Sequence, residues 1–183
     1  VNNNLFTFKS TYLTNDLKLS LHIGHFINNL QEFDKWTRPA FDLTINQTQL
    51  SPNVRYKVDD FIFNLGSQLS ILDNKNNQDE RLMPDAASLS IGPYVTIDYE
   101  GNNFGFNYGM RYDYKNIISE DSYSNTDYDN QFSNTSFSSG IYFDLADHIL
   151  RLSYSGAYRA PHFSELFSEG VHHGTNRYEL GNE

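Results

Sequence analysis

Hydrophobic and polar residues alternate with a period of two along most of this chain. Over residues 104–113 the even positions are Phe104, Phe106, Tyr108, Met110 and Tyr112, all large and apolar or aromatic. The odd positions there are only Gly, Asn, Arg or Asp. Successive side chains of a β-strand point to opposite faces, so this stretch has one greasy face and one polar face. Leu17, Leu19, Leu21 and Ile23 repeat the pattern against Lys18, Ser20, His22 and Gly24. Leu89, Ile91, Val95 and Ile97 do so against Ser90, Gly92, Tyr94, Thr96 and Asp98. Phe137, Ile141, Phe143 and Leu145 oppose Ser138, Gly140, Tyr142 and Asp144, and Leu150, Leu152, Tyr154 and Tyr158 oppose Arg151, Ser153, Ser155 and Arg159. The periodicity predicts an all-β chain, an antiparallel meander of about eight strands.

One greasy and one polar face also suit a soluble sandwich. The connectors argue for a different build. Short turns fall near residues 13–16, 58–60, 101–103 and 146–148, and longer polar connectors near 73–86, 116–134 and 160–183. Short turns at one rim and long polar loops at the other are the build of an outer-membrane β-barrel. The first connector, near 34–39, fits strands that project well beyond a membrane. Eight strands can close a small barrel, yet the segment from Ala160 onward reads as loop. An open arc of a larger transmembrane barrel is therefore expected. Two open edges and a broad greasy face predict that such an arc self-associates when isolated.

Composition narrows the classes further. The 183 residues include 13 Tyr and 14 Phe against 1 Trp and 2 Met, a bias toward strands and membrane-interface girdles. No run of about 18 apolar residues occurs, which excludes a transmembrane helix. The negative mean hydropathy of −0.59 leaves a barrel open, because half of each spanning strand faces a polar lumen. A net charge of −10 argues against nucleic acid, whose phosphates need a basic surface. With 0 Cys there is neither a disulfide framework nor a thiolate metal site. The chain starts VNNNLF and stops at Gly181-Asn182-Glu183 without a closing aromatic strand, so a piece of a longer protein is expected.

Tyr158-Arg159-Ala160-Pro161-His162-Phe163-Ser164-Glu165-Leu166-Phe167 resembles a stretch of TonB-dependent receptors, in which a strand ends in "(F/Y)RAP" and "ELF" follows. The continuation SEGVHHGTNRYELGNE is similar to the loop that leads to that family's "GN" phrase. Weaker echoes are Gly109-Met110-Arg111-Tyr112-Asp113 ("GxRYD"), Arg81-Leu82-Met83-Pro84-Asp85 ("LIPD") and Asn28–Asp34, which is similar to an "N-x-R-x-EF" phrase with Leu30 in place of Arg. The resemblance implies the middle part of a receptor barrel, residues 1–183, without plug or terminal strand. It implies the outer membrane, TonB as a partner through plug sequence not in this chain, and import of a small ligand such as an iron–siderophore, haem or another metal species. A structural or adhesin-like barrel is the alternative. No resident cofactor is expected.

Pro161 cannot donate to a ladder, so the strand before it must end near Ala160, and Ser164–Phe167 suits one helical turn. Arg151 and Arg159 share the polar face with Asp144, which permits lumen ion pairs. Candidate metal ligands are His172, His173 and Glu179, with His162 and Glu165 as further ligand-binding candidates, because imidazole and carboxylate suit zinc, iron and copper. Adjacent histidines on extended backbone point apart, and a polar loop with locally bonded histidines accounts for the same residues. Tyr123 and Tyr128 are candidates to stack on a flat chelate ring or a sugar. The acidic stretch 120–129 lacks the spacing of a calcium loop and reads as solvated. No G-x-S-x-G phrase or glycine-rich phosphate loop is present, and an enzyme is not expected.

Overall fold

The computed structural model describes residues 2–35, 38–77, 84–121, 126–172 and 177–181. Eight strands form one antiparallel sheet in chain order: β1 (Asn2–Leu13), β2 (Leu17–Lys35), β3 (Arg38–Val58), β4 (Phe61–Asn76), β5 (Ala86–Glu100), β6 (Phe104–Asp121), β7 (Thr126–Leu145) and β8 (His148–Gly156). A short helix, α1 (Phe163–Phe167), and a two-stranded hairpin, β9 (Glu169–His172) and β10 (Arg177–Leu180), follow. β1 and β8 are not paired with each other, so the sheet is open. The expected meander is present, and the expected short turns join β1 to β2, β3 to β4, β5 to β6 and β7 to β8. Two of these turns place a residue other than Gly at positive φ, Asp59 at 50° and Ala146 at 59°, the left-handed conformation that tight turns demand.

Alternation divides the sheet into two faces. One, called here the Tyr108 face, carries Phe61, Phe63, Leu65, Phe106, Tyr108, Met110, Leu150 and Leu152, all exposed. The other, the Arg111 face, carries mostly Gly, Ser, Asn and charged residues. At the short-turn end of the Tyr108 face the rings cluster: Phe61 to Tyr99 at 4.9 Å, Tyr99 to Phe104 at 5.1 Å and Tyr99 to Phe106 at 5.5 Å. On the Arg111 face several larger side chains lie flat over a glycine of the neighbouring strand. A Cβ on Gly66 would meet the Tyr94 ring at 2.5 Å, one on Gly105 the Tyr142 ring at 2.3 Å, and one on Gly92 the Arg111 guanidinium at 2.0 Å. Polar ladders tie the same face, among them Asn53 to the Tyr94 hydroxyl (3.1 Å), Asn64 to Thr96 (2.9 Å) and Arg111 to Asp113 (2.7 Å).

The polarity of the faces reverses toward the long-connector end. On β3 the Tyr108 face reads Val58, Tyr56, Val54, Pro52, Leu50 and then Thr48, Asn46, Thr44, Asp42. On β7 it reads Leu145, Phe143, Ile141, Ser139 and Phe137 and then Thr135, Ser133, Gln131, Asp129. The Arg111 face does the opposite, passing from Asp113 and Lys115 to Ile117 on β6, and from Ser136 and Asn134 to Phe132 on β7. Ile117 is fully buried and Leu43 is 2% exposed. On β6 the apolar band runs from Phe104 to Tyr114, about 34 Å along the strand and about 26 Å in height at a tilt of ~40°.

The connector expected at 116–134 is mostly ladder. β6 and β7 stay paired up to Asp121 and Thr126, because the residues beyond the band alternate in reversed phase. β8 stops at Gly156 rather than near Ala160, and Tyr158 N–H donates to the Ser136 hydroxyl at 3.2 Å as the chain leaves the sheet.

Candidate functional site

In-register rows cross the Arg111 face above the band. Leu72, Ser88, Ile117 and Asn130 form one row across β4 to β7, and Asn74, Ala86, Ser119 and Tyr128 form the next. The β5 residues in this lattice are small, so a trough opens between the larger side chains of β4 and β7. The helix α1 lies in it: Phe163, Leu166 and Phe167 pack with Ala86 and Ile117, against Leu72, Tyr128 and Phe132. Five residues are too few for a helix to persist in water. This one is held by burial at one side and by its caps.

The N-cap is His162, whose Nδ1 accepts from Ser164 N–H at 3.4 Å, while the Glu165 carboxylate accepts from His162 N–H at 2.7 Å. This reciprocal pair is a capping box with histidine in the usual Ser/Thr place. Glu165 also receives both arms of Arg159, at 2.9 and 2.7 Å. Lys115, reaching up from β6, donates to the Pro161 carbonyl at 2.8 Å, and its ammonium stands 5.7 Å from the Phe163 ring centre. At the far end Gly181 N–H donates to the Ser168 carbonyl at 2.5 Å. A Cβ at Gly181 would lie 2.2 Å from the Leu166 carbonyl oxygen, so only glycine lets the returning chain rest on α1.

Two titrations follow from this geometry. The Arg159 hydrogen bonds, followed by the His162 N–H, hold the Glu165 carboxyl down at about 2. Desolvation of the imidazole, whose ring centre is 5.7 Å from that of Phe163, and then the Lys115 charge push His162 below its ordinary 6.5. The docked helix thus prefers a neutral His162 and an ionised Glu165. The His162 contribution is complete above 6.5 and is lost as pH falls below it; that of Glu165 is present above 4.5 and fades toward about 2. Because the chain has 0 Cys, a single spin label at Ala160→Cys can report undocking. Its mobility is expected to rise in two acid steps, and Glu165→Gln should abolish only the lower one. A profile flat from neutral pH to pH ~3 would contradict the assignment.

The candidates from sequence are distributed as follows. Tyr128 is half-buried, edge-on to Phe167 at 4.7 Å and 88°, with its buried hydroxyl unpartnered. Tyr123 and His173 lie outside the described residues. His172 is opposite Arg177 and Glu179 opposite Gly170, and by alternation these four positions share one face of the β9–β10 hairpin. His162 and Glu165 are brought together, but in the cap of α1. Among the described residues no group of three or more His, Asp or Glu is arranged to hold a metal. Arg159 pairs with Glu165 rather than Asp144, because β8 has already ended at Gly156 and Arg159 no longer follows the ladder. Asp144 instead stands opposite Ile149, and Arg151 opposite Tyr142.

The family model described as "TonB dependent receptor-like, beta-barrel" matches residues 1–183. This chain belongs to that family. Among solved structures it is similar to "Copper transporter OprC", with a TM-score of 0.71 and 14% identity over 95% of this chain. The match spans 33% of that transporter's length. No curated protein matches in sequence. Membership makes this an outer-membrane chain of a transporter family, not of an enzyme family. In outer-membrane barrels the apolar outer face meets the membrane and the polar face the lumen, with short turns at one rim and long connectors at the other; here the Tyr108 face is the apolar one and the Arg111 face the polar one. The receptor's α1 therefore lies on the polar face, beyond the apolar band at the long-connector end. Lys115 and Ile117, which sequence reasoning missed, are positioned by this wall. The available signal was the reversed alternation around them.

Proposed function

We propose that this arc is part of an uptake receptor for a scarce transition metal or a small complex of one, with capture begun by the hairpin that stands on α1. The observation that carries the reading is the family match over the whole chain. The likeness to a protein named as a copper transporter supports the metal part. So does the register of β9 and β10, which puts His172 and Glu179 on one hairpin face, an imidazole and a carboxylate position of the kind that copper, zinc or iron accept. His162, Glu165 and Tyr128 support the site from below by fixing α1, and Tyr123 and His173 are further candidate ligand groups. The finer choices, siderophore-bound iron, haem or free metal, divide on the loops above. Import would be driven through TonB acting on a lumen domain, and the open edges of β1 and β8 would pair with further strands of the same barrel.

A strain lacking the full-length receptor should grow poorly when copper, zinc, iron or haem is limiting, in one condition and not the others. Complementation with His172→Ala plus Glu179→Ala should raise the amount of that nutrient needed by about tenfold, the loss of one or two ligands. Normal growth in all four conditions, with impaired surface attachment, would favour the adhesin-like alternative.

A further inference from the structure

Two prolines, Pro52 of β3 and Pro93 of β5, stand in interior strands of the sheet, where proline is disfavoured because it has no N–H to give the ladder. The β3–β4 ladder passes from Leu50↔Leu69 to Asn53↔Gly66, and the β5–β6 ladder from Ile91↔Tyr114 to Tyr94↔Arg111, with no change of register across either gap. Pro52 therefore stands opposite Ser67 of β4, and Pro93 opposite Tyr112 of β6. Because Pro93 is also opposite Ser67, all four lie in one row of the Tyr108 face. Along an antiparallel strand, residues exchange hydrogen bonds alternately with one neighbour and then the other. Lys57 N–H donates to the Asp16 carbonyl and Asp144 N–H to the Asn103 carbonyl, each at 2.8 Å. Counting from these bonds, Pro52 faces β4 and Pro93 faces β6. The carbonyls of Ser67 and Tyr112 thus each lose the ladder hydrogen bond that any other residue would have supplied.

The Ser67 side chain lies between the two prolines, with Leu65 and Leu69 before and after it on the same face. It is smaller than these four neighbours and leaves a notch among them. Its hydroxyl makes no hydrogen bond among the described residues. Ser67 is four residues below Ile71, the last apolar residue of this face on β4, and Tyr112 is two below Tyr114. At a tilt of ~40° these positions are about 10 Å and about 5 Å beneath the long-connector edge of the apolar band. Backbone groups at that depth find no water on the lipid side, and leaving them bare is costly. A ligand that suits the notch is apolar, thin and equipped with a polar hydrogen. We propose that it binds a membrane lipid whose acyl chain carries a hydroxyl near the head-group end. The chain lies against Pro52, Pro93 and the two leucines, and its hydroxyl donates to the Ser67 or the Tyr112 carbonyl. The proposal rests on the Tyr108 face meeting the membrane, which Tyr108→Arg tests by itself, and holds whichever nutrient is carried.

Native mass spectrometry of the full-length receptor, released from nanodiscs, provides the test. The nanodiscs hold equal amounts of a phosphatidylethanolamine with a 3-hydroxytetradecanoyl chain and the same lipid with a plain tetradecanoyl chain. The hydroxylated lipid should be retained about tenfold over its plain twin, the gain of a hydrogen bond. Pro52→Val with Pro93→Val returns both N–H groups to the ladder, so the barrel should keep its fold and lose the preference. Ser67→Val, which fills the notch, should lose it too, and heat-modifiable gel migration reads barrel integrity in each case. Equal retention of the two lipids by the unmodified receptor overturns the proposal, since the carbonyls would then be hydrated from the lumen. So does a preference that survives in the folded double valine variant. A photo-crosslinking p-benzoylphenylalanine at Leu69 should be joined to lipid in cells, and joining to a second polypeptide instead would make the notch a protein contact and sink the idea. Growth on limiting metals plays no part in these assays, so failure of the metal reading is seen separately.

Discussion

Phe167→Ala should release α1 from the wall of the receptor while leaving the barrel assembled. Phe167 is 7% exposed and meets Tyr128 edge-on at 4.7 Å. Truncating a buried Phe costs about 3–5 kcal/mol, and a five-residue helix has no intrinsic stability to set against that loss. The whole cost is therefore local. Hydrogen exchange of the Leu166 and Ser168 amides, which donate to the His162 and Ser164 carbonyls, should accelerate by two or more orders of magnitude, since ~1.4 kcal/mol is a factor of ten. Amides of β6 below Tyr112 should stay protected. If Leu166 and Ser168 exchange at the unmodified rate, α1 is held by something other than this cluster.

The second large effect belongs to the lipid side. Tyr108 sits midway along the apolar band of β6 and is 43% exposed in the arc. Arg at the midplane of a lipid-facing strand costs about 2–4 kcal/mol. Tyr108→Arg should lower the unfolding free energy of the refolded receptor in phospholipid vesicles by that amount. Asn107→Arg, one residue away and facing the lumen, should change it by under about 1 kcal/mol. Equal costs for the two substitutions would mean that the faces are assigned wrongly.

Much of the arc was legible in the chain. Phe104, Phe106, Tyr108, Met110 and Tyr112 identify a strand and its lipid face without any tertiary knowledge, because a period of two has one structural meaning. Short turns were equally clear. The stretch 116–134 was not, since its composition is that of a loop while its alternation persists out of phase: Tyr128 and Phe132 point inward and Gln131 and Ser133 outward. Alternation read with a single expected polarity misses a strand that has left the membrane. The helix was foreseeable from Pro161 and the residues after it. Its clamp was not, because Arg159 lies past the end of β8, where face parity no longer says which way a side chain points. The capping box also escaped notice, since histidine is an unusual first member. For the hairpin, spacing alone could not show that His172 and Glu179 share a face, whereas the pairing register does.

The reversal of polarity along β3, β6 and β7 has a consequence for assembly. A strictly alternating strand can be shifted by two residues against its neighbour and still present the right kind of side chain to each side, so alternation by itself is blind to that error. Here the shift is detectable. Sliding β7 two places toward the periplasm along β6 would draw Thr135 down into the hydrocarbon and pull Phe132 below the trough that receives α1. Sliding it the other way would lift Phe137 into water. β6 and β7 therefore carry an absolute depth mark as well as a facing rule, and the two marks agree only in the native alignment. An assembling barrel can use that agreement to reject misaligned hairpins before the sheet is complete.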